Sequence, residues 1–181
     1  MKIESAIKFE KKISAMLDTE GLVEVHNVSI VRTDDGEIKA YPPNREYTTK
    51  NGAKGYEKIV FFKDFPAADA EAARMVNEKD EKFYAFSKPV DIKGGQKLGI
   101  ATLKAHVALK VSVLSATEEK AARLLIPSRE YTKKGEDEKR TAYFVWPFSN
   151  QGEELKAEIA ALTDQIIAEA KPYEPKQAEV E

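Results

Sequence analysis

The sequence predicts an α+β fold of two tandem units, each an antiparallel β-sheet closed by a C-terminal helix. Three observations predict it. The octet Pro43-Asn44-Arg45-Glu46-Tyr47-Thr48-Thr49-Lys50 recurs as Pro127-Ser128-Arg129-Glu130-Tyr131-Thr132-Lys133-Lys134, about 84 residues further on. Each octet leads through a polar, Gly-containing stretch into an apolar run, Lys58 to Phe62 in one copy and Ala142 to Trp146 in the other. Each copy then closes on a segment with helix-start signals. The units are residues 1–80 and 83–171, with a charged, weakly patterned linker near Asn77 to Lys82 and a disordered tail at 172–181.

Within the first unit, Val23, Val25, Val28 and Ile30 mix alternation with β-branching and read as strand. Thr33-Asp34-Asp35-Gly36-Glu37 is a hairpin turn, because Gly supplies the positive φ such turns need. Asp18-Thr19-Glu20-Gly21 reads as a second turn. Pro42-Pro43, like Pro127 later, cannot donate into a ladder and marks a strand end or edge. A short helix opens at Phe65-Pro66 and runs to about Asn77, with the proline suited to its first turn.

The second unit begins with a strand at Phe83. Gly94-Gly95-Gln96 is its turn, and Leu98 to Leu109 its long strand. Ala108 to Val113 matches Val25 to Ile30 with a one-residue slip. Its helix places Leu155, Ile159, Leu162 and Ile166 on one face, with Asn150 as the expected cap, Glu153 and Glu154 in the first turn, and Lys171-Pro172 as the stop.

Composition narrows the chemistry. The 181 residues contain no cysteine, which excludes disulfides, thiolate nucleophiles and Cys-based zinc sites and suits a reducing cytoplasm. Met1 to Ser5 is followed by charge, so no signal peptide is expected, and no apolar run approaches bilayer length. The net charge is −2, so any grip on phosphates must come from a local basic patch.

The run from Met16-Leu17-Asp18 through His26-Asn27-Val28 to Pro43-Asn44-Arg45 resembles the SpoVG family of small bacterial regulators. Ile126-Pro127-Ser128-Arg129 matches that family's Pro-Ser-basic element more closely, and Trp146-Pro147-Phe148 is similar to its closing Pro-containing strand. The resemblance implies two tandem SpoVG-like units acting as a covalent pseudo-dimer, and a site-selective DNA- or RNA-binding role. Where the family carries a second basic residue, this chain has Glu46 and Glu130.

The candidate contact surface is Arg45, Tyr47, Lys50, Arg129, Tyr131, Lys133, Lys134, Lys139 and Arg140. Arginine forks suit phosphates and carboxylates, and tyrosines can stack on bases. Alternatively, these charges lie at strand ends, solvated or paired locally. His26 and His106 show no metal-ligand spacing, and a structural role is expected for His26. Glu118-Glu119 and Glu153-Glu154 read as helix or loop starts, and Ser128 and Ser149 have no nucleophile elbow. Trp146, Phe148 and Tyr143 read as packing residues. No metal, cofactor or catalysis is expected.

The expected function is non-enzymatic binding of DNA, RNA or a ribonucleoprotein through paired Arg-Glu-Tyr-Thr loops. The runner-up is a protein-directed inhibitor from a phage or mobile element. One form of it is an anti-CRISPR that binds a Cas9–guide RNA complex, whose basic channels favour an acidic-leaning ligand.

Overall fold

Alternating burial produces the two longest strands of the fold, β2 (Lys12–Thr33) and β8 (Gly95–Leu114), in a computed structural model that describes residues 1–175. In β8, Leu103, Ala105, Val107, Leu109, Val111 and Val113 are buried, while Lys104 is exposed. The fold is mixed α and β, dominated by strands, with two helices among the described residues. Neither helix is long and apolar enough to cross a membrane. The chain divides into two compact units, and each draws segments from both halves of the sequence.

The larger unit comprises Met1–Lys2, Asp18–Leu109 and Pro127–Pro147. Here β2 and β8 are neighbours. They run antiparallel: the Val107 amide donates to Thr19 Oγ1 at 3.2 Å, and the Asp34 amide donates to the Gly94 carbonyl at 3.2 Å. The Thr33–Glu37 turn forms as expected, with Gly36 at φ 85°, and returns β3 (Ile38–Tyr41) onto β2. The Gly94-Gly95 turn likewise joins β7 (Phe83–Ile92) to β8.

Two short apolar strands complete this unit. β6 (Val60–Phe62) pairs with β8, Phe61 lying opposite Ala108. β12 (Val145–Trp146) pairs with β2, Val145 lying opposite Val25. The strand after each octet therefore docks on the long strand of the other half, at positions that correspond under the one-residue slip. The apolar runs Lys58 to Phe62 and Ala142 to Trp146 are not continuous strands. They break at buried Ile59 and Phe144, where the chain passes from an exposed hairpin into the core.

Helix α1 (Phe65–Glu78) starts where its signals indicate. Asp64 caps it, accepting from the Ala67 amide at 3.0 Å, and Pro66 occupies the first turn. Ala68, Ala72 and Met75 form its buried face. Asp69 accepts from the Ala40 amide at 2.9 Å, tying the helix to β3.

The smaller unit comprises Ile3–Leu17, Lys110–Ile126 and the residues from Phe148 onward. It contains β1 (Lys2–Lys8) beyond its first residue, the start of β2, the end of β8, β9 (Arg123–Leu125) and α2 (Gly152–Glu169). Ser112 lies opposite Leu125 in β8–β9, just as Ser29 lies opposite Tyr41 in β2–β3. Leu162, Thr163 and Ile166 form the buried face of α2. Asn150 does not cap this helix. Gln151 holds the cap position without a side-chain bond, Gly152 at φ 61° makes the turn, and Asn150 Nδ2 donates to Glu158 Oε2 at 3.1 Å. Of the tail, β13 (Lys171–Pro172) pairs parallel with β1, and Tyr173 stacks on Phe9 at 5.1 Å. The remainder of the expected tail, 176–181, lies outside the described residues.

Asp18-Thr19-Glu20-Gly21 is not a turn, because β2 runs straight through it. The irregularity is a single positive φ at Glu20 (59°), whose amide donates to Asp18 Oδ1 at 2.7 Å. Asp18 also accepts from His106 Nε2 at 2.5 Å, with Lys63 Nζ at 3.4 Å. The His106 hydrogen bond, reinforced by the Glu20 amide, lowers the Asp18 pKa to about 2.

A depressed carboxylate pKa stabilises the fold above its unfolded value, and that contribution is lost as pH falls from about 4 towards 2. Asp18→Asn should therefore lower the urea midpoint at pH 7, and its gap from the parent should close over this acid range. A gap that stayed constant to pH 2 would contradict the assignment. At the β7–β8 turn, a Cβ on Gly95 would fall 2.1 Å from the Arg32 carbonyl, whereas one on Gly94 would meet nothing within 4 Å. Gly94→Ala should cost about 1 kcal/mol, from its positive φ alone. Gly95→Ala should cost clearly more, measured by thermal unfolding of both variants.

Candidate functional site

Each octet becomes the outgoing strand of a two-stranded hairpin that pairs with nothing else. The first joins β4 (Asn44–Thr48) to β5 (Lys54–Lys58), and the second joins β10 (Ser128–Thr132) to β11 (Lys139–Tyr143). Pro43 and Pro127 precede them, each buried and unable to donate, so neither outgoing strand continues from the strand before it. Both hairpins belong to the larger unit. Their apolar content is too low to bury, so almost every residue in them is exposed or half-buried.

All nine sequence-predicted contact residues lie on these hairpins. Arg45, Tyr47, Arg129 and Tyr131 lie on the outgoing strands, Lys50, Lys133 and Lys134 at the tips, and Lys139 and Arg140 on the second return strand. All are exposed except Arg140, which is half-buried. Between them, the hairpins carry nine basic and six acidic side chains, in a chain whose net charge is −2.

Cross-strand register decides how each charge is used. Arg45 lies directly opposite Glu57, and its guanidinium is hydrogen-bonded to that carboxylate. Glu46 bonds to Lys54 at 2.9 Å, an interaction that raises the Lys54 pKa. Local pairing is thus realised in the first hairpin. In the second, Glu130 pairs with Lys139 at 3.3 Å and Arg140 with Glu136 at 2.6 Å. The residue opposite Arg129, however, is Ala142, and Arg129 makes no ion pair among the described residues. The arginines of the two octets therefore differ: Arg45 is held by a carboxylate, and the residue facing Arg129 carries no charge.

A cleft of about 820 Å³ brings the roots of the two hairpins together. Arg45 and Tyr56 line it from the first hairpin, Arg129 from the second, Asn27 and Lys97 from the long strands β2 and β8, and Tyr41 from the end of β3. A second hollow of about 400 Å³ also includes Arg129, together with Tyr131, Tyr143 and His26. Asn27, common to both hollows, has φ 57° inside β2. Such a conformation is uncommon outside glycine, though asparagine tolerates it best.

Tyr41, Tyr56 and Lys97 were absent from the residues singled out by sequence. Tyr56 carried a signal, since Lys54-Gly55-Tyr56-Glu57-Lys58 alternates as a return strand does. Its Gly55 lies opposite Tyr47, whose ring covers it so closely that a Cβ would fall 2.5 Å away. Tyr56 is 66% exposed and Tyr41 49%, so their rings are accessible. Lys97 carried no local signal, since the pairing of β2 with β8 brings it to the cleft.

Both histidines have side-chain partners, His26 within the lining of the second hollow and His106 away from it. His26 Nδ1 lies 3.0 Å from Thr102 Oγ1, and His106 bonds to Asp18. Among the described residues, no group of three or more His, Asp or Glu side chains is arranged to hold a metal ion. Tyr143 and Trp146 pack edge-tilted at 5.6 Å, and Phe148 is buried in the smaller unit. Comparison with protein-family models, with curated proteins and with solved structures gives no match to this chain.

Proposed function

We propose that this chain is a non-enzymatic, SpoVG-like tandem binding protein that contacts nucleic acid, free or within a ribonucleoprotein, through its two Arg-Glu-Tyr-Thr hairpins. The observation that carries the reading is the convergence of Arg45 and Arg129, from two equivalent exposed hairpins, on one tyrosine-lined cleft. The tandem element of the reading draws support from register. Strand order repeats from β1–α1 to β7–α2, and Phe61–Ala108 and Val145–Val25 are reciprocal ladders. The local basic excess of the hairpins supplies phosphate attraction that the net charge withholds.

A second reading, an inhibitor of a protein or ribonucleoprotein such as a Cas9–guide complex, is favoured by Glu136-Asp137-Glu138. This run of three exposed acids sits in the turn of the second hairpin. An acidic tip suits a basic channel better than a phosphate backbone.

Fluorescence anisotropy with short labelled DNA and RNA probes at 50 mM salt separates the two. Nucleic-acid binding should appear and fall roughly tenfold or more by 200 mM, as release of a few counterions requires. Charge reversal at Lys133 and Lys134 should weaken it further and flatten the salt dependence. Absence of binding at 50 mM, with suppression of target cleavage by a Cas9–guide complex, would reject the first reading for the second.

A further inference from the structure

We infer that the cleft takes a single-stranded nucleic-acid segment, with Arg129 as its phosphate anchor and Tyr41 and Tyr56 as its base-stacking surfaces, an inference that rests on the nucleic-acid reading above. Cleft size favours a single strand. About 820 Å³ falls within the roughly 300–1,000 Å³ that encloses a drug-sized ligand, a volume suited to a short run of nucleotides. A duplex is too bulky to enter and would only cross the rim.

Two carboxylates, Glu46 and Glu130, also line the cleft, and each is paired with a lysine, Lys54 and Lys139; with those charges offset, the remaining lining favours the same ligand. Rings that are 66% and 49% exposed, beside a cationic residue, offer π-faces to bases that are not already stacked in a helix. Duplex bases offer no such face. Asn27, Asn44 and Ser128 supply hydrogen-bonding groups on the same lining, where unpaired base edges are free to use them.

Cross-strand register makes the two arginines unequal in this role. Glu57 neutralises Arg45 across β4–β5, so a phosphate would have to displace a carboxylate already in place. Ala142 stands in the corresponding place beside Arg129 and offers no competing anion. Arg129 also lines both hollows, so a strand leaving the cleft passes it towards Tyr131 and Tyr143. The site is therefore asymmetric, with one working arginine and one latched copy.

The test uses the full chain and 15-nucleotide oligothymidine and oligouridine probes, alongside a DNA duplex of equal length, at 50 mM salt. Single strands should bind at least tenfold more tightly than duplex. Arg129→Ala should lose about tenfold on single strands, and Arg45→Ala no more than about twofold. Tyr56→Ala should lose about tenfold, as removal of one stacked base does. Glu57→Ala should gain affinity by releasing Arg45, and by more than Glu136→Ala, which makes the same charge change away from the cleft. Circular dichroism of each variant separates misfolding from loss of contact. Equal binding of duplex and single strand, or equal losses for the two arginine variants, would overturn the inference and leave nucleic-acid binding standing. Binding of neither probe would overturn that function itself.

Discussion

The positions of both hairpins depend on two very short ladders. Val60–Phe62 lies against Val107–Leu109, and Val145–Trp146 lies against Glu24–Val25. Each ladder fixes the strand that immediately follows a hairpin, so it sets where the hairpin's return strand emerges. Val25, Val60, Val107, Leu109 and Val145 are essentially inaccessible to water. Burying side chains of this size contributes about 1.5–3 kcal/mol each before entropy is counted. The hairpins contribute almost none of this, since their own residues remain exposed. The candidate site is therefore held by the core beneath it and not by its own contacts, an arrangement that leaves its charged surface free to vary.

Proline placement keeps the hairpins separate from the sheet. Pro43 and Pro127 are buried at the hairpin roots and can donate no ladder bond, which uncouples β4 from β3 and β10 from β9. Without that interruption, each outgoing strand could extend the sheet strand before it. The arginines would then lie in a continuous ladder instead of at a cleft. An isolated two-stranded hairpin is at best marginal in water, and here Tyr47 over Gly55 and the cross-strand ion pairs stiffen the first one locally. The second lacks a glycine opposite its tyrosine and pairs Tyr131 with Arg140 instead.

What was legible in the sequence was local. The Thr33–Glu37 and Gly94-Gly95 turns were written in glycine and could be placed without any knowledge of partners. The start of α1 was equally plain, because Phe65-Pro66 places it within one turn; the Asp64 cap was passed over. The octets marked where both hairpins lie but read as loops, whereas they form the outgoing strands β4 and β10, and the return strand at Lys54–Lys58 was passed over as a polar stretch. Most illegible features depended on distant residues, Asn150 and its near neighbour Glu158 excepted. Asp18 resembles a turn residue until His106 is brought beside it, 88 positions away. Asn150 resembles a cap until Glu158 takes its amide. The docking of β6 on β8 and of β12 on β2 leaves no trace in either segment alone, because any apolar strand of that length would read the same.

On the tandem reading, the difference between Glu57 opposite Arg45 and Ala142 opposite Arg129 has a logic that a symmetric dimer does not offer. A unit that works as a symmetric dimer presents the same residue at both hairpins, so a carboxylate opposite the arginine must latch both copies or neither. Covalent linkage removes that constraint. On the tandem reading, Glu57 quiets Arg45 while Ala142 leaves Arg129 open, and the Gly55–Arg140 difference reshapes the tyrosine beside each. A pair of equal contacts suits a ligand with matching symmetry, such as a palindromic duplex. Unequal contacts suit a ligand whose two ends differ, and a single nucleic-acid strand with its fixed polarity is such a ligand. On the proposed nucleic-acid reading, the residues opposite Arg45 and Arg129 would thus also restrict the kind of partner the cleft takes.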